Sequence, residues 1–385
     1  MAGRPATKKR GNGEGTLFYN KTKKLWVAQF YAEGKRKTKY GRTKDEARKK
    51  MIVSQNSIIS GVYSEPSKIT VEKWLYVWLK EYMIGKREPK TIENHENNIR
   101  NHIVPNIGKI KLCDLKAFQV QQMYNATEKR LSPRSVRLVH ITLHMALKQA
   151  KMNDLLVQIV TEKCVLPKQT QKESRALTTG EQREFVKNIK GQPFELAFLL
   201  CLYAGLRRGE AFALQWKDID TENLQLNINK TVSRVKIIGS QEGEKRSEIL
   251  IKHPKSKSSN RIVPISASLL PYIKNHRIAM TQRKLAFGND FNSRDLVFAD
   301  TKGNPLDSGR LNTQFRKIAK VLFEEHATVH TLRHTFATRG AESGISMKVM
   351  QELCGHSDIG ITANIYTHVS SEFKTQEIAK MNVIL

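Results

Sequence analysis

The sequence is poor in acidic residues and in long apolar runs, and each shortage excludes a class of protein. Its 36 Asp and Glu residues face 66 Lys and Arg residues, which gives a net charge of +30 and an isoelectric point of about 10.0. This positive charge favours a polyanionic partner, either a nucleic acid or an anionic membrane surface. No stretch approaches about 18 consecutive apolar residues, so we expect no membrane span. The basic N-terminus lacks the apolar run of a secretory signal, and a nucleic acid is the leading candidate.

Cysteine is scarce as well. The four cysteines lie far apart without CxxC spacing, which favours a reducing compartment and argues against a disulfide framework or a zinc finger. At 385 residues with 39% hydrophobic content, the chain is long enough for two or three domains with their own cores. The cysteines are Cys113, Cys164, Cys201 and Cys354.

Positive charge is concentrated at the N-terminus, where residues 1–50 hold 16 Lys and Arg against 4 Asp and Glu. Three short strands are predicted there, in GTLFYN, LWVAQFYA and KRKTKYG, followed by a helix that Thr43 caps. The apolar residues Trp26, Ala28 and Phe30 recur at every second position, which predicts that one face of this sheet is buried. Because aromatic residues are interleaved with lysines, we expect the other face to be strongly positive and to read DNA, in preference to a solvated basic tag.

The middle of the chain is predicted to be helical. The apolar residues of TVEKWLYVWLKEYM fall on one stripe after a Thr70 cap, and Ser132 followed by Pro133 predicts another helix start. Beyond a second linker, helical and strand-like stretches alternate. We therefore predict a multidomain, mainly α fold with small β-sheets: a three-stranded sheet plus helix in residues 1–62, an all-α bundle in 68–165 and an α+β domain in 174–385.

The last domain carries several basic residues in suggestive surroundings. In AGLRRGEA, Arg207 and Arg208 follow a strongly apolar helix, and burying such side chains is unfavourable unless an anion meets them. Glu210 can pair with one arginine and a phosphate with the other. Further along, Lys255 and Lys257 lie in a basic turn, KHPKSKSSN, ahead of the strand RIVPIS. Their spacing alone indicates nothing beyond solvent-exposed lysines.

A histidine-rich helix, VHTLRHT, allows two interpretations. His330 and His334 have the spacing of zinc ligands, but Thr331 stands where a hydrolytic zinc helix carries its glutamate. No carboxylate or cysteine cluster completes a metal shell. His330, Arg333 and His334 also share one helix face, which suits a phosphate. The phosphate interpretation is the stronger, and we expect no metal.

Four segments taken together resemble the signature of the tyrosine recombinase (phage integrase) family. They occur in the family's order and at close to its usual distances, and the resemblance extends over the whole chain. One departure is the cysteine before GH in LCGH, where leucine-glycine-histidine is commoner. The segments are AGLRRGEA with Arg207, HTLRHT with His330 and Arg333, LCGH with His356, and IYTHV with Tyr366.

The resemblance implies a role for each domain and a catalytic residue set. Residues 1–62 resemble an arm-type DNA-binding domain, 68–165 a core-binding domain and 174–385 the catalytic domain. The family carries a catalytic lysine on a β-hairpin, and Lys255 fits that place best, with Lys257 as the alternative. The other catalytic residues are then Arg207, His330, Arg333, His356 and Tyr366. Further DNA contacts are expected from Lys24, Arg36, Lys37, Lys39, Arg134 and Lys257.

Elementary chemistry agrees with these roles. A tyrosine phenol can attack a DNA phosphate and stay attached as a phosphodiester, and nearby cations favour its ionised form. Arg207 and Arg333 would hold the non-bridging oxygens while His356 donates a hydrogen bond to them. His330 would accept the phenol proton or position the phosphate, and the lysine would protonate the departing 5′ oxygen. This chemistry requires no cofactor, in agreement with the lack of a Walker loop.

The resemblance also implies partners and alternatives. Double-stranded DNA with core and arm sites, a homotetramer on DNA, a host DNA-bending protein and an excision factor are expected, without a membrane, in the cytoplasm at a bacterial nucleoid. The apolar end of the C-terminal tail could pack on a neighbouring subunit. A non-catalytic DNA-binding regulator would have no use for the catalytic set. A type IB topoisomerase or telomere resolvase would share the chemistry, but the arm-like N-terminal domain favours integration and excision.

Overall fold

The structure of the chain is a computed structural model that divides into two compact units, Met1–Thr170 and Gln171–Leu385. None of the helices in its described part is long and apolar enough to cross a membrane. Lys255 and the C-terminal tail lie outside the described residues. Those residues are 15–32, 35–59, 69–169, 175–237, 247–253, 257–288, 291, 294–323 and 326–366.

The N-terminal residues form a three-stranded antiparallel sheet with one helix. The strands β1 (Thr16–Asn20), β2 (Leu25–Ala32) and β3 (Lys35–Gly41) pair in that order, and helix α1 (Lys44–Ile59) follows. Side chains alternate between the faces of a strand, so Ala28 and Phe30 share one face, and they pack there against the helix. The predicted strands, the helix and the buried face are confirmed.

The open face of this sheet is less positive than predicted. Residues directly opposite each other on paired strands point to the same face. Lys39 pairs with Ala28 and Lys37 pairs with Phe30, so both lysines project on the face that carries the helix. Arg36 pairs with Tyr31 and projects on the open face. The expectation of a strongly positive open face is therefore wrong, because strand register sends the two lysines to the other side.

The rest of the first unit is helical, as predicted. Trp74 and Trp78 are buried on the predicted stripe, which continues into a wider turn over Leu79–Met83. The side chain of Thr70 caps the first helix and that of Ser132 caps the last, where Pro133 occupies the first turn. The helices are α2 (Val71–Trp78), α3 (Pro89–Asn98), α4 (Val104–Ile107), α5 (Ala117–Glu128) and α6 (Pro133–Met152).

The second unit combines helices with two small sheets. Strands β4 (Ile219–Asp220), β5 (Gln225–Ile228) and β8 (Arg261–Pro264) form one sheet in the order β4-β5-β8, and β6 (Thr231–Lys236) pairs with β7 (Ser247–Lys252). The helices are α7 (Thr179–Ile189), α8 (Glu195–Tyr203), α9 (Arg208–Ala211), α10 (Leu270–Phe287), α11 (Gly309–Leu322), α12 (Val329–Glu342), α13 (Met347–Cys354) and α14 (Ile359–Tyr366).

Helix α8 lies at the centre of this unit. Its residues from Leu196 to Leu202 are all buried, which is the pattern of a helix surrounded by protein. The helix ends at Tyr203 and α9 begins at Arg208, so Arg207 follows the apolar helix, as predicted, and precedes a second short one. Gly205 lies between them with a φ of +63°, and a Cβ there would come within 2.4 Å of Phe336. A glycine is therefore required at the bend that presents Arg207.

We predict that Phe185→Ala destabilises the second unit by about 3–5 kcal/mol, because it leaves a cavity in a close-packed core. The ring of Phe185 is fully buried, with its centroid 5.6 Å from those of Phe198 and Phe315. The measurement is hydrogen exchange of the α8 amides in the full chain. In the control Phe287→Ala, where the ring is 37% exposed, exchange should change little. Equal effects of the two substitutions would contradict this packing.

Candidate active site

Arg207 is held at the bend between α8 and α9. Its backbone N–H donates to Glu210 Oε2 (2.9 Å), and its Nη1 donates to Glu210 Oε1 (2.7 Å). Its Nη2 donates to the carbonyl oxygen of Gly355 (2.9 Å), which lies 148 residues further along the chain. The side chain remains 37% exposed. Arg207 is therefore fixed by protein on one side and accessible on the other, whereas Arg208 is exposed.

Arg333 lies on α12 and is only 2% exposed. Its Nη1 donates to the carbonyl oxygen of Gly205 (2.5 Å), and its Nη2 donates to that of Cys354. Its Nε is buried and has no hydrogen-bond partner among the described residues. Burial lowers the pKa of Arg333 to about 10, so the group stays cationic at neutral pH. A buried donor without a partner costs about 1–3 kcal/mol, and an anionic oxygen would relieve that cost.

Glu210 is the carboxylate of the site, and two arginines share it. Arg261, the first residue of β8, donates from Nη2 to Glu210 Oε2 (2.9 Å) and from Nη1 to Oε1 (3.2 Å). Burial would raise the pKa of Glu210, but the hydrogen bond and charge of Arg261, with the charges of Arg207 and Arg333, lower it to about 2. Glu210 is therefore ionised while it is 3% exposed.

Three arginines converge on the C-terminal end of α13. The consecutive carbonyl oxygens of Leu353, Cys354 and Gly355 accept hydrogen bonds from Arg261, Arg333 and Arg207 respectively. The last carbonyls of a helix lack intrahelical partners and carry partial negative charge. This helix end therefore gathers guanidinium groups from three distant segments of the chain.

Gly355 makes that close approach possible. It ends α13 in the left-handed conformation, with a φ of +60°, which glycine adopts without strain. A Cβ at this position would lie 2.9 Å from the carbonyl oxygen of Ser258 and 3.1 Å from Nη1 of Arg261. The chain then continues directly into His356.

His356 is buried beside this cluster. Its Nδ1 lies 2.9 Å from Oγ1 of Thr362. Burial, followed by the charges of Arg333 and Arg207, lowers the pKa of His356 to about 3. The imidazole is therefore neutral near pH 7.

His330 and Arg207 line a common cavity of about 360 Å³. The pKa of His330 is lowered by desolvation and then by the charges of Arg333 and Arg207. Part of the residue is nevertheless exposed. The two histidines and two arginines are thus close enough to influence one another electrostatically. The cavity is lined by Leu206, Arg207, Arg208, Asn312, Thr328, Val329 and His330.

Tyr366 lies apart from the arginine groups. It is the last residue of α14, and its hydroxyl donates to the carbonyl oxygen of Ile345 (2.5 Å). Its ring packs against the small core of Ala337, Met350 and Cys354. Partial burial raises the pKa of the phenol, and Cys354 adds to this effect. The structure therefore groups Arg207, His330, Arg333 and His356, whereas the hydroxyl of Tyr366 is hydrogen-bonded to the backbone at Ile345.

The remaining predicted residues are distributed as follows. Lys255 lies outside the described residues, and Lys257 begins a short turn, Lys257–Ser259, ahead of β8. Arg134 is exposed at the start of α6, and Lys24 lies in the turn between β1 and β2. In the described ranges no group of three or more His, Cys, Asp or Glu side chains is arranged to hold a metal ion.

Sequence reasoning missed Arg261. In the sequence Arg261 is only the first residue of the strand RIVPIS, yet its side chain is only 6% exposed. A cation that opens an apolar strand needs a buried anion, and that requirement was the available signal. The partner, Glu210, lies 51 residues earlier, so the sequence alone did not identify it.

Comparison with known proteins defines the class to which this site belongs. Residues 170–372 match the phage integrase family, and residues 70–127 match the N-terminal SAM-like domain of phage integrases. The chain is 31% identical over 358 residues to a XerC-like tyrosine recombinase of Caldanaerobacter subterraneus subsp. tengcongensis, covering 90% of this chain and 91% of the relative. The class is that of the tyrosine-type site-specific DNA recombinases. The chain belongs to the phage integrase family, as its four signature segments predicted.

Solved structures with a similar fold come from the same class. The integrase of transposon Tn1549, in complex with a circular intermediate DNA, superposes with a TM-score of 0.63 at 20% identity, covering 81% of this chain and 99% of that chain. A lambda integrase tetramer bound to a Holliday junction gives a TM-score of 0.58 at 19% identity, covering 93% and 96%. The predicted fold, mainly helical with small antiparallel sheets, is confirmed.

We predict that His356 makes the stability of the second unit depend on pH. Its pKa is about 3 in the folded chain against an ordinary 6.5, so between these values the unfolded chain binds a proton that the folded chain does not. Stability should therefore fall as the pH is lowered from 6.5. Between pH 6.5 and about 5, His356→Gln should remove up to about 2 kcal/mol of this loss. The measurement is urea unfolding at several pH values.

The matched control for this experiment is His253→Gln, at an exposed histidine of the same unit. Its pH dependence should follow that of the unchanged protein. If His356→Gln also followed it, the buried neutral imidazole at residue 356 would not account for the pH dependence.

Proposed function

We propose that this recombinase integrates and excises a mobile element through a covalent 3′-phosphotyrosine intermediate formed by Tyr366. The observation that carries the proposal is the buried Nε of Arg333, which has no partner among the residues that the structure describes, beside the accessible guanidinium of Arg207 and the imidazole of His330. Three guanidinium groups and one carboxylate leave an excess of positive charge. A DNA phosphate supplies both the missing acceptor and the missing charge.

The phosphate is held by side chains from separate parts of the second unit. Arg207 and Arg333 bind its non-bridging oxygens and stabilise the charge that grows on them in the transition state. For His356, we assign the Thr362 hydroxyl as donor to Nδ1, because a neutral imidazole carries only one N–H. The proton is then on Nε2, which donates to the phosphate.

Strand cleavage is a transesterification. The phenol oxygen of Tyr366 forms a bond to phosphorus as the bond from phosphorus to the 5′ oxygen breaks. The phenol proton passes to His330 or to solvent, and the catalytic lysine protonates the departing 5′ oxygen. Attack by another 5′ hydroxyl reverses these steps and releases Tyr366. The number of phosphoester bonds is unchanged, so the reaction needs no nucleotide or external energy source.

Tyr366 must leave Ile345 before it can attack. The raised pKa of its phenol, caused by partial burial, keeps it protonated where it lies. Close to guanidinium groups the phenolate is favoured instead. We infer that DNA binding accompanies movement of α14, which carries the phenol from the carbonyl of Ile345 to the phosphate.

The other domains supply DNA sequence recognition, because phosphate contacts alone carry none. In this proposal residues 1–62 bind arm sites and residues 68–165 bind the core site. The tetrameric lambda integrase on a Holliday junction supports a homotetramer here, acting at the nucleoid with a host DNA-bending protein and an excision factor. The proposed contacts outside the active site are Lys24, Arg36, Lys37, Lys39, Arg134 and Lys257.

We predict that Tyr366→Phe abolishes the covalent adduct while DNA binding is retained, because only the nucleophilic oxygen is lost. The substrate is a duplex nicked near the crossover, so that the short 5′ fragment diffuses away and the adduct is trapped. Adducts are measured by denaturing electrophoresis, and binding by gel shift. Tyr203→Phe serves as the control, since its ring is 41% exposed in the same unit, and it should form the adduct normally.

The same substrate tests the function itself. A recombinase traps the adduct on its own attachment site, a topoisomerase traps it with little site preference, and a DNA-binding regulator traps none. An adduct that persists in Tyr366→Phe would refute the assignment of the nucleophile.

We predict that Lys255→Ala slows cleavage by about 100-fold or more, the loss expected for a general acid, and that Lys257→Ala has a much smaller effect. A substrate in which sulfur replaces the bridging 5′ oxygen restores the rate of Lys255→Ala, because a thiolate leaves without protonation. Single-turnover cleavage of both substrates is the measurement. Restoration for Lys257→Ala instead would assign the catalytic role to that lysine.

A further inference from the structure

Arg261 links the start of β8 to the arginine cluster. Its side chain is 6% exposed, and all of its hydrogen bonds are made within the protein. Nε donates to the carbonyl oxygen of Leu353 (2.7 Å), while Nη1 and Nη2 donate to the two oxygens of Glu210. Nη1 also lies 3.3 Å from the carbonyl oxygen of Ser259. Four of the five N–H groups of Arg261 are thus used within the protein, chiefly on Glu210 and the end of α13.

Arg207 and Arg261 both donate hydrogen bonds to Glu210. Its Oε1 accepts from Arg207 Nη1 at 2.7 Å and from Arg261 Nη1 at 3.2 Å. Its Oε2 accepts from the backbone N–H of Arg207 and from Arg261 Nη2, both at 2.9 Å. A single buried negative charge therefore lies between two guanidinium groups, that of Arg261 buried and that of Arg207 partly exposed.

The division of that charge determines how strongly Arg207 attracts a phosphate. If Arg261 were absent, the buried carboxylate of Glu210 would have Arg207 as its nearest cation and would neutralise it. With Arg261 present, Glu210 is compensated by a second guanidinium group. Electrostatic interactions are strong where water is excluded, so the charge of Arg207 is then available to an incoming anion.

We infer that Arg261 is a positioning residue for the cleavage reaction. It neutralises Glu210 and fixes the end of α13, which leaves Arg207 with an uncompensated charge directed at the phosphate. This inference rests on the proposed function, because it takes a DNA phosphate as the ligand of Arg207. Arg261 itself does not touch the substrate.

The test is a double-mutant cycle on the full-length protein. We expect Arg261→Gln to slow single-turnover cleavage at saturating protein by about 10-fold or more, because the unbalanced Glu210 then neutralises Arg207. Adding Glu210→Gln to this variant removes the excess negative charge, so the double variant should recover most of the lost rate. Rates that combine additively would overturn the inference.

Two further measurements separate this role from a purely structural one. Arg261→Lys keeps the charge, so its cleavage rate should lie within a few-fold of that of the unchanged protein. If only the planar guanidinium shape mattered, Arg261→Lys would be as slow as Arg261→Gln. The sulfur-containing substrate should not restore Arg261→Gln. Restoration would show that Arg261 acts through the catalytic lysine and would contradict our inference.

Controls cover folding, net charge and the proposed function. Arg234→Gln removes a partly exposed Arg–Asp ion pair of the same unit and should cleave normally. Urea unfolding confirms that each variant is folded under assay conditions, and Arg261→Lys provides the comparison if Arg261→Gln is not. If the unchanged protein forms no adduct, the proposed function fails. If it forms one and Arg261→Gln is equally fast, only the role of Arg261 fails.

Discussion

The interaction on which the second unit depends is the burial of guanidinium groups around one carboxylate. Removing a cation from water is unfavourable unless its donors find acceptors. Here Glu210 and the three consecutive carbonyls at the end of α13 supply most of those acceptors. One fully buried nitrogen of the cluster, Nε of Arg333, has no partner in the described part of the chain. An anionic oxygen would satisfy that nitrogen.

Burial and this arrangement together act on the neighbouring histidines. Desolvation is the larger cause and the charges of Arg333 and Arg207 follow, so the pKa values of His330 and His356 are both lowered. A bound phosphate would oppose this effect, because its negative charge favours the protonated imidazole. The imidazoles can then accept or share a proton in the complex more readily than in the free protein. Affinity for phosphate and proton transfer are therefore linked through the same electrostatic field.

Local features of the sequence predicted most of the helices and strands, whereas contacts between residues far apart in the sequence were not predicted. The buried strand face with Ala28 and Phe30 and the apolar helix stripe with Trp74 and Trp78 were both predicted correctly. Each depends only on the spacing of residues a few positions apart. The face occupied by Lys37 depends on how two strands pair. Arg261 depends on a carboxylate 51 residues away, and Tyr366 on a carbonyl 21 residues away. Periodicity carries no information about such pairs.

The separation of Tyr366 from the arginines is compatible with its proposed role on energetic grounds. Its hydroxyl makes one neutral hydrogen bond, to Ile345, and a bond of this kind contributes about 0.5–1.5 kcal/mol net. The ring is half-buried rather than locked in the interior, so its release exposes a limited apolar surface. Stabilisation of a phenolate by even one nearby guanidinium in a site that excludes water is of at least comparable size. In the proposed function, only a modest free energy therefore opposes release of the phenol from Ile345.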